Sequence, residues 1–120
     1  MKIVNRNTFI QMPAGTLFMK YAPCHFGPLC IKGDSIIFDP PVFRRACPND
    51  FYVQDLNTVK ANSSDEEFDI LDSAEQFGNS FELWFDIEGR DGMFDQDQLF
   101  AVYERSDVEA LIFTLQATLN

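Results

Sequence analysis

A strict alternation of side chains runs from Phe81 to Glu88 and is the strongest secondary-structure signal in the chain. The apolar members are Phe81, Leu83, Phe85 and Ile87, and the polar or aromatic members are Glu82, Trp84, Asp86 and Glu88. A period of two residues is typical of a β-strand that is buried on one face. The pattern predicts a strand over 81–87 with an apolar inner face and an acidic outer face that carries Trp84.

Short apolar runs bounded by turn residues predict the other strands, over 16–21, 29–32, 35–38, 51–58 and 99–104. The strands 29–32 and 35–38 flank Gly33-Asp34, a pair that favours a hairpin turn because glycine adopts positive φ readily. Residues 39–49 hold three prolines, which cannot donate to a sheet ladder, so this stretch is expected to be a loop. Residues 5–12 are expected to form one or two helical turns.

Two capping boxes predict longer helices. Ser64 followed by Glu67 marks a helix over 65–76 that ends at Gly78. Ser106 followed by Glu109 marks a helix that runs to the end of the chain. Apolar residues at helical spacing form one stripe on this last helix, whereas Phe113 falls on the face expected to meet solvent. The stripe consists of Val108, Leu111, Ile112, Leu115 and Leu119.

These elements predict an α+β fold over 1–120 as a single globular domain. We expect a small mixed or antiparallel sheet, with barrel-like closure in its N-terminal part, and two capped helices, the last one C-terminal. Most of the 13 phenylalanines are expected in the core, because Phe is among the largest apolar side chains that a fold can bury.

The compartment is predicted from three absences in the sequence. No apolar run is long enough for a membrane span, and no apolar region follows the basic N-terminal residues as it would in a signal peptide. The three cysteines, Cys24, Cys30 and Cys47, are an odd number without framework spacing. This pattern favours the reducing cytoplasm.

The charge of the chain is uneven. The formal net charge is −10. Residues 1–64 carry seven basic and four acidic residues, whereas residues 65–120 carry 15 acidic and two basic residues. A field of this sign repels nucleic acid and anionic membranes and attracts basic surfaces. The charge therefore favours a cationic protein, or a cationic groove that normally holds nucleic acid, as partner, although acidity that only maintains solubility predicts the same composition.

Sequence signatures of catalysis are missing, and we expect no enzyme, no cofactor and no metal. The chain holds no glycine-rich phosphate loop, no nucleophile elbow and no His-Glu-x-x-His motif. His25 is its one histidine, and the nearest cysteine pair, Cys24 and Cys30, is spaced too widely for a structural zinc site. The acids between Asp86 and Asp97 do not match the positions of an EF-hand loop.

The contact surface predicted from these patterns is the acidic strand face and the loop that follows it. Trp84 supplies the residue type most enriched among interface hot spots. Its predicted neighbours are Asp86, Glu88, Asp91, Asp95 and Asp97. An alternative ligand site lies in the basic half, where Lys32, Arg44 and Arg45 would surround a small anionic nucleotide.

Five stretches of the chain also resemble small acidic proteins encoded by phages and prophages. They are the opening Met1–Arg6, the segments Met12–Thr16 and Phe26–Gly33, and the ending Gly89–Phe100 with Val108–Leu111. Proteins of this kind are often inhibitors of bacterial defence, including anti-CRISPR proteins, and some occupy a nucleic-acid groove by presenting negative charge. The resemblance implies no catalytic residue.

Composition and resemblance together predict a phage-encoded, anti-CRISPR-like inhibitor that binds a basic, nucleic-acid-binding site of a host defence complex. Two alternatives stay open at this point. One is a sponge for an anionic signalling nucleotide, and the other is an acidic immunity or antitoxin-like protein that neutralises a basic toxin.

Overall fold

An antiparallel sheet of six strands forms the body of the computed structural model, which describes residues 1–37 and 49–120. The strand order is β1-β8-β2-β3-β4-β7. Its strands are β1 (Lys2–Val4), β2 (Leu17–Ala22), β3 (His25–Ile36), β4 (Asp50–Asp55), β7 (Glu88–Arg90) and β8 (Leu99–Val102). A separate two-stranded sheet pairs β5 (Thr58–Val59) with β6 (Leu83–Trp84).

Three helices complete the described chain: α1 (Arg6–Ile10), α2 (Ser64–Phe77) and α3 (Arg105–Gln116), which continues into a 3₁₀ turn at Ala117–Leu119. The predicted α+β class and the C-terminal helix are confirmed. The predicted barrel-like closure is wrong, because β1 and β7 are the two edges of an open sheet. The predicted loop at 39–49 and the end of the predicted strand 35–38 fall largely outside the described residues.

The predicted hairpin at Gly33-Asp34 is wrong. β3 runs unbroken for 12 residues, and the turn that joins it to β2 lies at Pro23-Cys24, where Cys24 has a φ of 62°. Gly33 instead lies at a bulge, since the register to β4 shifts between Lys32 and Ser35. A Cβ atom at Gly33 would lie 2.9 Å from the Cβ of Tyr52, so glycine is required here for close approach rather than for a turn.

The predicted strand 81–87 is largely wrong. Only Leu83 and Trp84 are in a strand, and their one neighbour is the two-residue β5. The expected inner face is exposed, with 44% of Phe81 and 57% of Phe85 accessible to solvent. An alternating pattern buries its apolar face only where another layer covers it, and no such layer lies over this segment in the described chain.

The helices have capped ends, but the N-caps of α2 and α3 are not the predicted residues. Asn5 caps α1 by accepting from the Thr8 amide at 2.9 Å. The cap of α2 is Ser63 rather than Ser64, and its hydroxyl accepts from the Glu66 amide at 3.1 Å. Gly78 ends α2 in the left-handed conformation, as predicted. The N-cap of α3 is Glu104, whose amide donates to the Asp107 carboxylate at 2.8 Å, so its capping box lies two residues before the predicted one.

Four phenylalanine rings form the centre of the core. Phe9 of α1 stacks on Phe100 of β8 with ring centroids 4.0 Å apart, and both also contact Phe18 of β2 and Phe51 of β4. All four side chains are at most 1% exposed. This cluster fixes α1 onto the sheet.

The prediction that most phenylalanines are buried is wrong for the described part of the chain. Six of them are exposed: Phe26, Phe68, Phe77, Phe81, Phe85 and Phe113. Phe68, Phe77 and Phe113 are exposed because neither α2 nor α3 buries any residue. Phe81 and Phe85 belong to the uncovered segment after α2, and Phe26 lies at the start of β3. The radius of gyration of 17.0 Å exceeds the roughly 14 Å typical of a compact domain of this length, consistent with helices that lie outside the core.

No helix in the described ranges is long and apolar enough to cross a membrane.

Candidate protein-binding surface

Trp84 lies in the two-stranded β5–β6 sheet, where it is opposite Thr58 and only partly exposed. The predicted outer strand face around it does not exist, because the chain bends after Trp84. Trp84 instead lines a groove of about 370 Å³ between this two-stranded sheet and α2. The tryptophan is therefore a wall of a concave site rather than the centre of a flat acidic face.

Asp91 is removed from the predicted contact surface, because its side chain is 4% exposed. Its carboxylate forms ion pairs with Lys20 and, at 3.7 Å, with the guanidinium of Arg6. The buried Asp50 completes this charge cluster: it pairs with Arg6 at 3.7 Å and with Arg90 at 3.0 Å. These contacts join α1 to β2, β4 and β7, so the role that the geometry supports for Asp91 is structural.

The other predicted contacts are exposed but dispersed. Glu88 lies on the edge strand β7, with its carboxyl group over the bulge at Gly33. Asp95 and Asp97 lie in the loop before β8, where the Asp95 carboxylate accepts from the Asp97 amide at 3.0 Å. β7 and β8 are four strand positions apart, or roughly 19 Å. Asp86, next to Trp84, is exposed between the two sheets. The six residues therefore do not form one face.

The densest acidic surface lies on α2, which was predicted as a helix but not as a site. α2 carries six acidic residues and no basic residue: Asp65, Glu66, Glu67, Asp69, Asp72 and Glu75. Exposed apolar side chains lie among them, with Phe68 70% and Phe77 73% accessible. The sequence signal for this site was the mixture of acids and phenylalanines in a capped helix, which a search for alternation overlooks.

The groove lies between α2 and the β5–β6 sheet. Its apolar walls are Ile70, Phe81 and Trp84, and its acids are Glu66 and Glu82. A neighbouring depression of about 340 Å³ shares Glu66 and Ile70 and adds Asp69. Lys60 is the basic residue in the lining, and its ammonium group pairs with Glu82 at 3.2 Å. Apolar walls with an excess of carboxylates fit an amphipathic, positively charged segment.

The alternative basic site loses one of its three residues. Lys32 is 1% exposed, and its ammonium group donates to the Ser35 hydroxyl at 2.7 Å and to the Gly33 carbonyl at 3.0 Å. Burial lowers the pKa of Lys32, and the charge of Asp34 opposes that shift. Lys32 is thus held inside the fold, and Arg44 and Arg45 lie outside the described residues.

The two described thiols lie in different environments. Cys24 is exposed at a turn, whereas Cys30 is buried and its thiol donates to the Asp55 carboxylate at 3.1 Å. Burial, reinforced by Asp55, raises the pKa of Cys30 to about 12, so this thiol stays protonated. Within residues 1–37 and 49–120, no three His, Cys, Asp or Glu side chains are grouped for a metal ion.

Comparison with protein-family models, with curated proteins and with solved structures found no match to this chain.

Proposed function

We propose that this protein works by binding a basic protein surface through α2 and the groove beside it. One observation carries the proposal: a 14-residue helix with six acids and no base buries none of its residues. Phe68 and Phe77, both more than two-thirds exposed, lie on this helix. Large exposed apolar side chains rimmed by charge mark interaction sites more often than solubilising surfaces.

The stability of α2 supports a contact role. A helix of about 12–15 residues is marginal in water unless packing of an apolar face stabilises it. α2 has a Ser63 cap, a Gly78 end and acids in its first turn that complement the helix dipole. Capping therefore maintains the helix in the free protein, and its apolar side chains remain available for a partner.

The charged and the apolar side chains of this surface have different expected roles in binding. The net charge of −10 would steer a cationic partner and raise the association rate. Phe68 on the outer face of α2, and the groove walls on the other side of the helix at Glu66 and Ile70, would then supply the desolvated contacts that hold the complex. Charge alone gives weak, salt-sensitive binding, so the apolar side chains are the anchors.

The narrower form of the proposal is a phage-encoded, anti-CRISPR-like inhibitor that occupies a nucleic-acid-binding site of a host defence complex. The resemblance to acidic phage proteins and the −10 charge support this setting. An antitoxin-like protein would use the same surface, and the two differ only in the partner.

The test is capture from nuclease-treated bacterial lysate on immobilised protein, eluted with rising salt. Phe68→Ser is compared with Phe113→Ser, which removes an equally exposed ring, 77% accessible, from α3. We expect a basic protein that is released as salt screens the charges, retained by Phe113→Ser and lost with Phe68→Ser.

Two results would contradict the proposal. One is a captured protein that binds Phe68→Ser and wild type equally, which would remove α2 from the site. The other is a captured protein whose retention is indifferent to salt, which would remove the acidic surface from recognition. The identity of a basic captured protein then separates a defence complex from a toxin.

A further inference from the structure

The C-terminal half of α3 is a second unpartnered surface, and its chemistry differs from that of α2. Of the predicted apolar stripe, only Val108 and Leu111 are partly buried. Ile112, Leu115 and Leu119 continue the same stripe beyond the body and are 50%, 55% and 85% exposed. The stripe has the three-to-four-residue spacing that packs one helix against another.

The charge of this surface indicates its occupant. Residues 110–120 contain no charged side chain, although the chain as a whole carries −10. Two copies of such an acidic protein repel each other, and a stretch without charged side chains does not add to that repulsion. A basic partner, in contrast, finds no carboxylate on this stretch to recognise. A self-complementary, neutral, apolar helix face thus fits a second copy better than a charged protein.

We propose that the protein self-associates through this stripe, with the two α3 helices antiparallel. Overlap of residues 112–119 spans about 12 Å of helix and places the other parts of the two acidic chains at opposite ends of the pair. A parallel pair would set the bodies side by side, within roughly one Debye length of 8 Å. Antiparallel pairing also aligns the helix dipoles favourably.

The dimer is expected to be weak. Three aliphatic side chains from each copy bury less than the roughly 1,200 Å² of a standard interface. We therefore expect dissociation in the range of about 10–100 μM rather than nanomolar affinity. Added salt strengthens the pair because it screens the repulsion between the bodies, whereas it weakens binding to a basic partner.

The experiment is sedimentation equilibrium of the full chain up to about 500 μM, a range that covers the expected constant. Leu115→Asp is compared with Phe113→Asp, since both place one carboxylate on an exposed apolar position of the same helix, on opposite faces. We expect at least 10-fold weaker association for Leu115→Asp and no change for Phe113→Asp, with both variants folded by circular dichroism. A wild type that stays monomeric, or equal association of the two variants, would overturn the proposal.

Orientation is tested by disulfide trapping in a Cys24→Ser, Cys47→Ser background. Leu115→Cys lies near the two-fold axis of an antiparallel pair and should form a cross-linked dimer. Leu119→Cys would face Ile112 of the other copy and should not form a cross-linked dimer. Efficient cross-linking of Leu119→Cys would contradict the antiparallel arrangement.

Discussion

The sheet body and the two long helices differ in nearly every property that determines stability. The body buries the rings of Phe9, Phe18, Phe51 and Phe100 and the charge cluster around Asp50. α2 and α3 bury no residue and present exposed Phe, Leu and Ile side chains. The comparison indicates that the sheet body supplies the stability of the fold, and it is on the two helices that we propose surfaces for contact.

The largest expected difference between the two regions concerns buried charge. Asp50→Ala removes one of the two carboxylate partners of Arg6, which is 3% exposed, together with the partner of Arg90, and should lower the free energy of unfolding by about 3–5 kcal/mol. Asp72→Ala on α2 is the control, and it should change stability by less than about 0.5 kcal/mol. Urea unfolding checks both. Equal losses would show that α2 is as integrated as the sheet.

A smaller effect is expected from two glycines of the body. Gly33→Ala forces a Cβ to within 2.9 Å of the Tyr52 Cβ and should cost about 1–3 kcal/mol. Gly89→Ala meets no atom within 4 Å and should be close to neutral. The same urea experiment compares them. A neutral Gly33→Ala would show that the bulge can open without loss.

These two regions were not equally predictable from the sequence. The glycine end of α2, the acids of its first turn and the stripe on α3 were readable because caps and helical periodicity are local. The ion pair of Arg6 with Asp50 was not, because it joins residues 44 positions apart through tertiary folding. The alternation at 81–88 led to a wrong strand prediction. A period of two residues predicts which side chains share a face, but that face is buried only where another layer of the fold covers it.

The candidate contact surface lies elsewhere than the sequence predicts. Acidic contacts around Trp84 were expected on one strand, and the structure places Asp91 in the interior and Asp95 and Asp97 beside β8. Trp84 alone stays in the candidate site, with α2 residues as its neighbours. Linear proximity of acids could not show which of them would be neutralised by Lys20 and Arg6.

A prediction for the contact region separates binding from stability. Phe68→Ser should weaken binding to the basic partner at least 10-fold, about 1.4 kcal/mol, because it removes an apolar anchor. Its unfolding free energy should stay within about 0.5 kcal/mol of wild type, because the ring is 70% exposed. Titration calorimetry measures the change in binding affinity, and urea unfolding measures the change in stability. A variant that loses stability as well would place Phe68 in the fold.

The smallest effect concerns the thiols. At pH 8, iodoacetamide should modify the exposed Cys24 much faster than Cys30, whose pKa is raised to about 12 by burial and by Asp55. Because the folded pKa exceeds the unfolded value of 9.0, Cys30 should also make the fold lose stability between pH 9 and 12. Peptide mass spectrometry locates the label, and rapid labelling of Cys30 would show that its site opens readily.

Hydrogen exchange of the free protein compares the two regions most directly. Amides of β2, β3 and β8 should exchange only through near-global unfolding, whereas amides of α2 should exchange through local opening and hence orders of magnitude faster. Addition of the basic partner should slow exchange in α2 and in residues 79–84 and leave the sheet unchanged. If α2 is as protected as β8 in the free protein, or gains no protection on binding, the division into a stable body and a contact helix is contradicted.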